Sequence, residues 1–129
     1  MSIELDKKQR DKLVEKLKQI THSAELDALA IVTREGLNIA FFASQNTDPD
    51  LLSAVTAASL ATGSMVTEKL SHGEMTEMII RGKEGFSILS NAGPHFLIGA
   101  SREHSSTALT TRVFRQFTPD IMAIMSGAI

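Results

Sequence analysis

The stretch PDLLSAVTAASLATGSMVTEKL, from Pro49 to Leu70, decides the fold predicted for this chain. It predicts one long helix, because Asp48 is a favourable N-cap and Pro49 occupies the first helical position, where proline is well tolerated. Ser71-His72-Gly73 supplies a stop signal. No charged residue occurs from Leu51 to Thr67, whereas a solvated helix face normally carries Lys and Glu. We therefore expect two sides of this helix to be covered.

A helical wheel separates two apolar faces on this central helix. The first is a predicted core-facing stripe with its flanking residues: Leu51, Val55, Ala58, Thr62 and Val66, flanked by Leu52, Ser59 and Leu70. The second is a row of small residues that another backbone can approach closely: Ala54, Ala57, Ala61 and Ser64. A short chain has few elements left to cover a helix twice, so we predict that this small-residue row faces a partner chain. Leu60 lies opposite the predicted stripe and is the best single candidate for an exposed apolar contact with a further partner.

The composition predicts one soluble globular domain over residues 1–129. Apolar residues make up 43 % of the chain and charged residues 22 %, which is ordinary for such proteins. There is no cysteine, which excludes a disulfide framework, a thiolate metal site and a cysteine nucleophile. The charged N-terminus has no signal-peptide pattern, and no apolar run approaches the roughly 18 residues of a membrane span. We expect a cytoplasmic protein without membrane insertion.

The charge is distributed unevenly but mildly. The net charge is −2, and residues 19–101 carry nine Asp and Glu against four Lys and Arg. Residues 1–18 carry six Lys and Arg against four acids, which is typical of a solvated helix face. Because the chain also lacks Trp and Tyr, which would stack on bases, we predict no nucleic-acid partner.

Periodicity and turn signals predict an α/β (α+β) fold in the order α-β-β-α-β-β-β-α. The helices flank a five-stranded antiparallel sheet made of a hairpin and a three-strand meander. Gly36 is the expected positive-φ residue of the first hairpin turn, and Asn91-Ala92-Gly93-Pro94 forms a later one. The predicted elements around the central helix are helix Ile3–Thr21, strands Leu26–Thr33, Leu37–Ala43, Glu74–Arg81, Phe86–Ser90 and His95–Ala100, and helix Ser105–Phe117.

The strand Glu74–Arg81 would be an edge strand of an isolated chain. Met75, Met78 and Ile80 give it apolar side chains, and exposed apolar edges invite pairing. A homodimer that pairs this strand with its own copy, with the two central helices side by side, would cover both exposed features and continue the sheet across both subunits. We predict a dimer interface made of Ala54, Ala57, Ala61, Ser64, Met75, Met78 and Ile80.

The C-terminus predicts a break followed by an apolar tail. Pro119 restricts the residue before it, so the last helix is expected to end near Phe117, with Ser105 or Ser106 as its cap. The tail Ile121–Ile129 is too apolar to remain in water. It either folds back on the domain or packs on a partner, and the sequence does not decide between the two.

No pattern predicts catalysis or cofactor binding. The histidines are not spaced as metal ligands, and there is no glycine-rich phosphate loop and no Gly-x-Ser-x-Gly motif. We therefore predict no catalytic residue, no metal, no cofactor and no enzymatic activity. The histidines concerned are His22, His72, His95 and His104.

The element order and three segments resemble the Roadblock family of dynein light-chain-type scaffold domains. The segments are ALAIVTREGLNIA (Ala28–Ala40), the long Ala-rich helix, and RGKEGFSIL followed by HFLIGA. The resemblance covers Leu13 to Phe117; the C-terminal tail departs from it. It implies a homodimer, or a heterodimer with a paralogous Roadblock chain. It also implies a non-catalytic scaffold that binds a small Ras-like GTPase or a larger assembly and can modulate the nucleotide cycle.

Two other classes share parts of this architecture. A PAS-like small-molecule sensor also has a five-stranded antiparallel sheet, but it usually joins its second and third strands by several short helices instead of one long one. A longin-like or profilin-like binding module would not need to dimerise through the central helix. A mass measurement in solution would separate the dimeric scaffold from both.

Overall fold

Three helices and five strands follow one another in the predicted order. The computed structural model describes residues 5–43, 47–102 and 107–127. The elements are α1 (Lys7–Ala24), β1 (Ala28–Thr33), β2 (Asn38–Ala43), α2 (Pro49–Lys69), β3 (Glu77–Gly82), β4 (Gly85–Ala92), β5 (His95–Ser101) and α3 (Thr107–Ser126). The predicted α-β-β-α-β-β-β-α fold is therefore confirmed, with strand ends displaced by one to three residues.

The sheet has the strand order β2-β1-β5-β4-β3, and every neighbouring pair is antiparallel. All six residues of the central strand β1 are buried, as its unbroken apolar run predicts. The three last strands form the predicted meander, and β3 is an edge strand as expected. Gly36 and Gly93 have φ values of 92° and 72°, so both turns use the left-handed backbone that favours glycine.

The helices cover the two faces of the sheet unequally. Residues of α1 and α3 pack on one face in a core cluster with Leu29, Ile31, Ile88 and Leu97. Within the described ranges, α2 alone packs on the other face, where Leu52 and Leu60 join a smaller cluster with Val32, Leu89, Phe96 and Ile98. One face of the sheet therefore has two helices to bury it and the other has one.

Side-chain caps fix where the first two of these helices begin. Asp6 accepts a hydrogen bond from the Gln9 backbone N–H, and the Gln9 side chain accepts one from the Asp6 N–H, which makes a capping box for α1. Asp48 accepts from the Asp50 N–H at the start of α2, with Pro49 in the first turn, as predicted. These local interactions can be predicted from the sequence because both partners lie within a few residues.

The predicted end of the last helix near Phe117 is wrong. Helix α3 continues to Ser126 with Pro119 inside it. The Thr118 hydroxyl donates to the Phe114 carbonyl next to the position where proline removes a backbone donor. Ser105 and Ser106, the predicted caps, lie outside the described residues.

The described part of the C-terminal tail folds back on its own chain, which settles the open alternative for those residues. Ile121 and Ile124 are buried in the cluster under α1 and α3. The Gln9 side-chain amide donates to the Ile124 carbonyl, and Lys16 forms an ion pair with Asp120 at 3.4 Å. Burial of the two isoleucines outweighs the helical bond lost at proline, because each is worth about 2 kcal/mol. In the described ranges, no helix combines the length and apolarity that crossing a bilayer requires.

Candidate interaction surface

The orientation of α2 differs from the predicted one. Its buried residues are Leu52, Ser53, Thr56, Leu60 and Gly63. The predicted core stripe points to solvent instead: Leu51 is 63 % exposed, Val55 45 % and Val66 51 %. Ala58 and Thr62 are exposed as well, and of the residues predicted to flank the stripe only Leu52 is buried.

Leu60 is the second correction. We predicted it as an exposed partner contact, but it is 5 % exposed and lies in the core cluster on the α2 side of the sheet. Both errors have one cause. Because residues 51–67 carry no charge on any face, hydrophobicity alone does not say which side of the helix is inside.

Close contacts with the sheet and its turns fix the observed orientation. A Cβ on Gly63 would lie 1.9 Å from the Met78 Cε and 2.5 Å from the Met75 Sδ, so the absence of a side chain lets the two methionine ends pack directly against the helix. At the other side of the helix, a Cβ on Gly36 would lie 2.7 Å from the Ala57 Cβ. Glycine therefore permits close approach at both positions, and the buried Leu52 and Leu60 pack on the sheet from the same side of α2.

The exposed side of α2 is apolar along its length. We call it the outer face of α2 and define it as Leu51, Ala54, Val55, Ala58, Ala61, Thr62, Met65 and Val66, all of them exposed. Met65 is 60 % exposed. A contiguous exposed surface of this kind on a small protein marks a site of interaction more often than a surface in contact with water.

The edge strand β3 follows α2 in the sequence. Among the residues that the structure describes, it pairs with β4 alone, and its other edge has no strand beside it. Ile79 and Ile80 are each 44 % exposed and, as consecutive strand residues, point to opposite faces of the sheet. The strand therefore exposes apolar side chains and free hydrogen-bonding groups together.

A cleft borders this edge on the α2 side of the sheet. The pairing register places Ile80, Ser87, Ala100 and Ala28 in one row across the strands. These residues line a cleft of about 680 Å³. Three of the four have small side chains, so among the described residues little fills the space over this row.

Two carboxylates hold the edge strand and the segment before it in place. The Glu77 Oε1 accepts from the Arg115 Nε at 3.1 Å and from its Nη2 at 2.6 Å, which links β3 to α3. The Glu74 Oε1 accepts from Arg34 at 3.3 Å and from the Asn91 amide at 3.1 Å. Local sequence patterns do not predict these contacts, because the partners lie 17 to 40 positions away along the chain.

The predicted interface residues fall into three groups. Ala54, Ala61 and Ile80 are exposed, and Ala57, Ser64 and Met78 are half-buried. Met75 is 5 % exposed because it packs under Gly63, so it positions the segment before β3 and offers little free surface. The sequence analysis did not predict that four large apolar residues of α2 would be exposed: Leu51, Val55, Met65 and Val66. The absence of charge around them did indicate that more than one side of the helix could be covered.

The described residues contain no candidate metal centre. Within the ranges 5–43, 47–102 and 107–127, no group of three His, Asp or Glu side chains is arranged to hold a metal ion. His22 and His72 are exposed, His104 lies outside the described residues, and His95 is buried. The arrangement is that of a binding surface built on backbone edges and apolar side chains.

Comparisons with known proteins agree with this architecture. The chain is similar to a structure described as MglB with tetrameric arrangement, with a TM-score of 0.90 and 16 % identity, covering 99 % of this chain and 98 % of that one. It is also similar to the gliding protein MglB from Thermus thermophilus, with a TM-score of 0.88 and 16 % identity over 98 % and 97 % of the two chains. For Myxococcus xanthus MglB the TM-score is 0.86 and the identity 15 %, over 100 % and 97 %.

These likenesses, at low identity, show the shared fold. A search of the curated proteins finds no match. The family model described as Roadblock/LC7 domain matches residues 12–101, which is more than half of the chain and includes α2 and all five strands. The chain belongs to the Roadblock/LC7 domain family.

Proposed function

We propose that this protein is a non-catalytic scaffold and regulator that works as a homodimer and binds a small Ras-like GTPase. The observation that carries the proposal is the outer face of α2 beside the unpaired apolar edge of β3. Both are exposed in the single chain, and both would be covered by one contact with a second copy.

The dimer would join β3 to its own copy in antiparallel orientation and extend the five strands into one sheet across both subunits. Ala54 and Ala61 would let the two α2 helices approach closely, and Ile80 would be covered at the sheet edge. A symmetric contact of this kind uses the same surface on both chains. A similar structure, MglB with tetrameric arrangement, supports the proposal that this chain also self-associates.

The two rows of the outer face of α2 would then have separate roles. The small row with Ala54 and Ala61 suits helix pairing. The larger side chains of Leu51, Val55 and Val66 would be left for a further partner. Family membership supports a small Ras-like GTPase as that partner, and the nucleotide cycle of the GTPase would be modulated through contacts with its own residues.

Light scattering on Ala61→Glu tests the dimer. The wild-type chain is expected to have at least twice the 14.0 kDa mass of one chain at all micromolar concentrations. Ala61→Glu places a charge in the proposed helix contact, where burying it unpaired is costly, so the variant is expected to have the mass of a monomer.

Ala108→Glu is the matched control, because Ala108 is also an exposed helical alanine but lies on α3. It is expected to keep the wild-type mass. A wild-type monomer, or an Ala61→Glu variant that remains dimeric and folded, would contradict the proposed interface.

A second experiment tests the partner separately. The wild-type protein is used to capture small Ras-like GTPases from the same genome, each loaded with GDP or with a non-hydrolysable GTP analogue. Binding of at least one of them, weakened by Leu51→Ser or Val55→Ser with dimer mass unchanged, is expected. If none binds in either nucleotide state while the dimer is intact, the GTPase part of the proposal is wrong.

A further inference from the structure

Three side chains of the edge strand β3 lie on the α3 side of the sheet. Glu77 is one of them, because its carboxylate accepts hydrogen bonds from Arg115 of α3. Side chains alternate along a strand, so Ile79 and Arg81 lie on the same side as Glu77. Both are exposed. This row therefore has an acid at one end, a base at the other end and an isoleucine between them.

The other apolar side chains of β3 lie on the α2 side. Met78 packs against the core cluster under α2, and Ile80, two positions later, lines the cleft on that side. Ile79 is the centre of the pattern, because Met78 and Ile80 lie one position from it, and Glu77 and Arg81 lie two positions from it. When the strand is read backwards from Ile79, apolar residues match apolar residues and the acid matches the base.

The two charged groups of the α3-side row can each make a further contact. Both hydrogen bonds from Arg115 go to the Glu77 Oε1, and no described residue donates to the Glu77 Oε2. Arg81 forms no ion pair within the described ranges. Opposite charges that lie directly across two paired strands attract each other, and like charges there repel.

We propose that two copies of β3 pair with Ile79 opposite the second copy's Ile79, and that contacts between Glu77 and the second copy's Arg81 select an identical chain as the partner. This inference rests on the proposed dimer and adds its register. Residues directly opposite each other in an antiparallel pair point to the same face, so a symmetric pair must be centred on one residue. A pair centred on Met78 would place Glu77 opposite Ile79, and a pair centred on Ile80 would place Arg81 there.

Single introduced cysteines test the register, because the chain contains no cysteine of its own. Ile79→Cys, Ile80→Cys and Met78→Cys are each oxidised at one micromolar concentration and run on a non-reducing gel. Directly opposite Cα atoms lie about 4.5–5.5 Å apart, which a disulfide can bridge, whereas positions offset by two residues lie beyond about 7 Å. We expect a cross-linked dimer from Ile79→Cys and from neither of the other two.

Ile80→Cys is the matched control, because Ile79 and Ile80 are both 44 % exposed. The mass of each variant is measured first under reducing conditions. A dimeric Ile79→Cys chain that does not cross-link would overturn the proposed register, and so would equally fast cross-linking of Ile80→Cys or Met78→Cys.

Charge reversal tests the selection of the partner. Arg81→Glu and Glu77→Arg each place like charges opposite each other in a homodimer, so each is expected to raise the dissociation constant roughly tenfold. In a mixture of the two variants, the introduced side chains face each other and the natural ones do too. Native mass spectrometry is therefore expected to show more heterodimer than random pairing gives.

Glu15→Arg is the matched control for Glu77→Arg, because it makes the same charge change at an exposed position of α1. Its mixture with Arg81→Glu is expected to show no preference for the heterodimer. A dimeric wild type with random pairing in both mixtures would overturn the charge selection and leave the proposed dimer standing. A monomeric wild type would overturn the dimer and this pairing with it.

Discussion

Helices α2 and α3 have nearly the same length, 21 and 20 residues, and pack on opposite faces of one sheet, yet they bury very different side chains. On α3, Val113, Phe114, Ile121 and Ile124 are buried. On α2, large apolar residues such as Leu51 and Met65 are exposed, while Ser53, Thr56 and Gly63 are inside.

The difference shows on which side of the sheet a single chain buries most of its large apolar side chains. Most large apolar residues of α3 are buried or half-buried within the chain, although Leu109 and Met122 are exposed, and its charged residues Arg112 and Arg115 are also exposed. The apolar residues of α2 exceed what its side of the sheet can bury, because small side chains at the contact bring the helix close. The α3 side buries most of its large apolar side chains, and the α2 side leaves a larger apolar surface that a second molecule can cover.

The largest expected effect is on the α3 side. Phe114→Ala removes a fully buried ring and should lower the free energy of unfolding by about 3–5 kcal/mol. Leu51→Ala on the outer face of α2 should cost less than about 0.5 kcal/mol. Both are measured by urea unfolding in the Ala61→Glu background, which we expect to be monomeric. Equal losses in the free energy of unfolding for the two variants would mean that α2 and α3 do not differ in how they bury these apolar side chains.

A smaller effect is expected where α2 touches the sheet. Gly63→Val would force the Met78 and Met75 side chains aside and should cost about 2 kcal/mol. Ala58→Val, on the outer face of the same helix, should change stability by less than about 0.5 kcal/mol. Urea unfolding in the same background measures the stability of both variants, and a neutral Gly63→Val would show that the methionine ends move aside without loss of packing.

The ion pair between Arg115 of α3 and Glu77 of β3 should contribute less to the free energy of unfolding than the packing at Gly63 does. Arg115→Ala removes the bonds to Glu77 and should cost about 0.2–1 kcal/mol, because the arginine side chain is 70 % exposed. The cost should fall in about 1 M NaCl, where surface charges are screened. Arg112→Ala, on the same helix, is the control. A salt-independent loss would mean that packing of the arginine stem, and not its charge, holds the edge strand.

The last prediction concerns pH. Since burial lowers the pKa of His95 in the folded chain, the unfolded chain takes up a proton first as the pH falls. Stability should therefore decrease as the pH falls below the unfolded value of about 6.5, and His95 should have no effect above it. His95→Gln should flatten this dependence in thermal unfolding between about pH 7.5 and pH 5.5. The exposed His22→Gln should leave it unchanged.

Local chemistry made much of the fold predictable. The cap at Asp48, the glycine turn at Gly36 and the apolar run of β1 each act through neighbouring residues, so their interpretation needed no tertiary information. The edge position of β3 was predictable because it is the first strand of a three-strand meander. The orientation of α2 did not follow, because its faces are equally uncharged, and Pro119 was misjudged because the burial of Ile121 and Ile124 outweighs one lost backbone bond.

The sequence by itself determined the order of the elements, the turns between them, the family and the presence of an uncharged helix with more apolar surface than one side can use. Only the tertiary structure decided which of these apolar side chains are free. Contacts between residues far apart in the chain, such as Gly63 with Met78 and Gly36 with Ala57, set the rotation of α2 about its axis. That rotation exposes Leu51 and Val55 and buries Leu60, because a helix packs with the side that lets the backbones come closest.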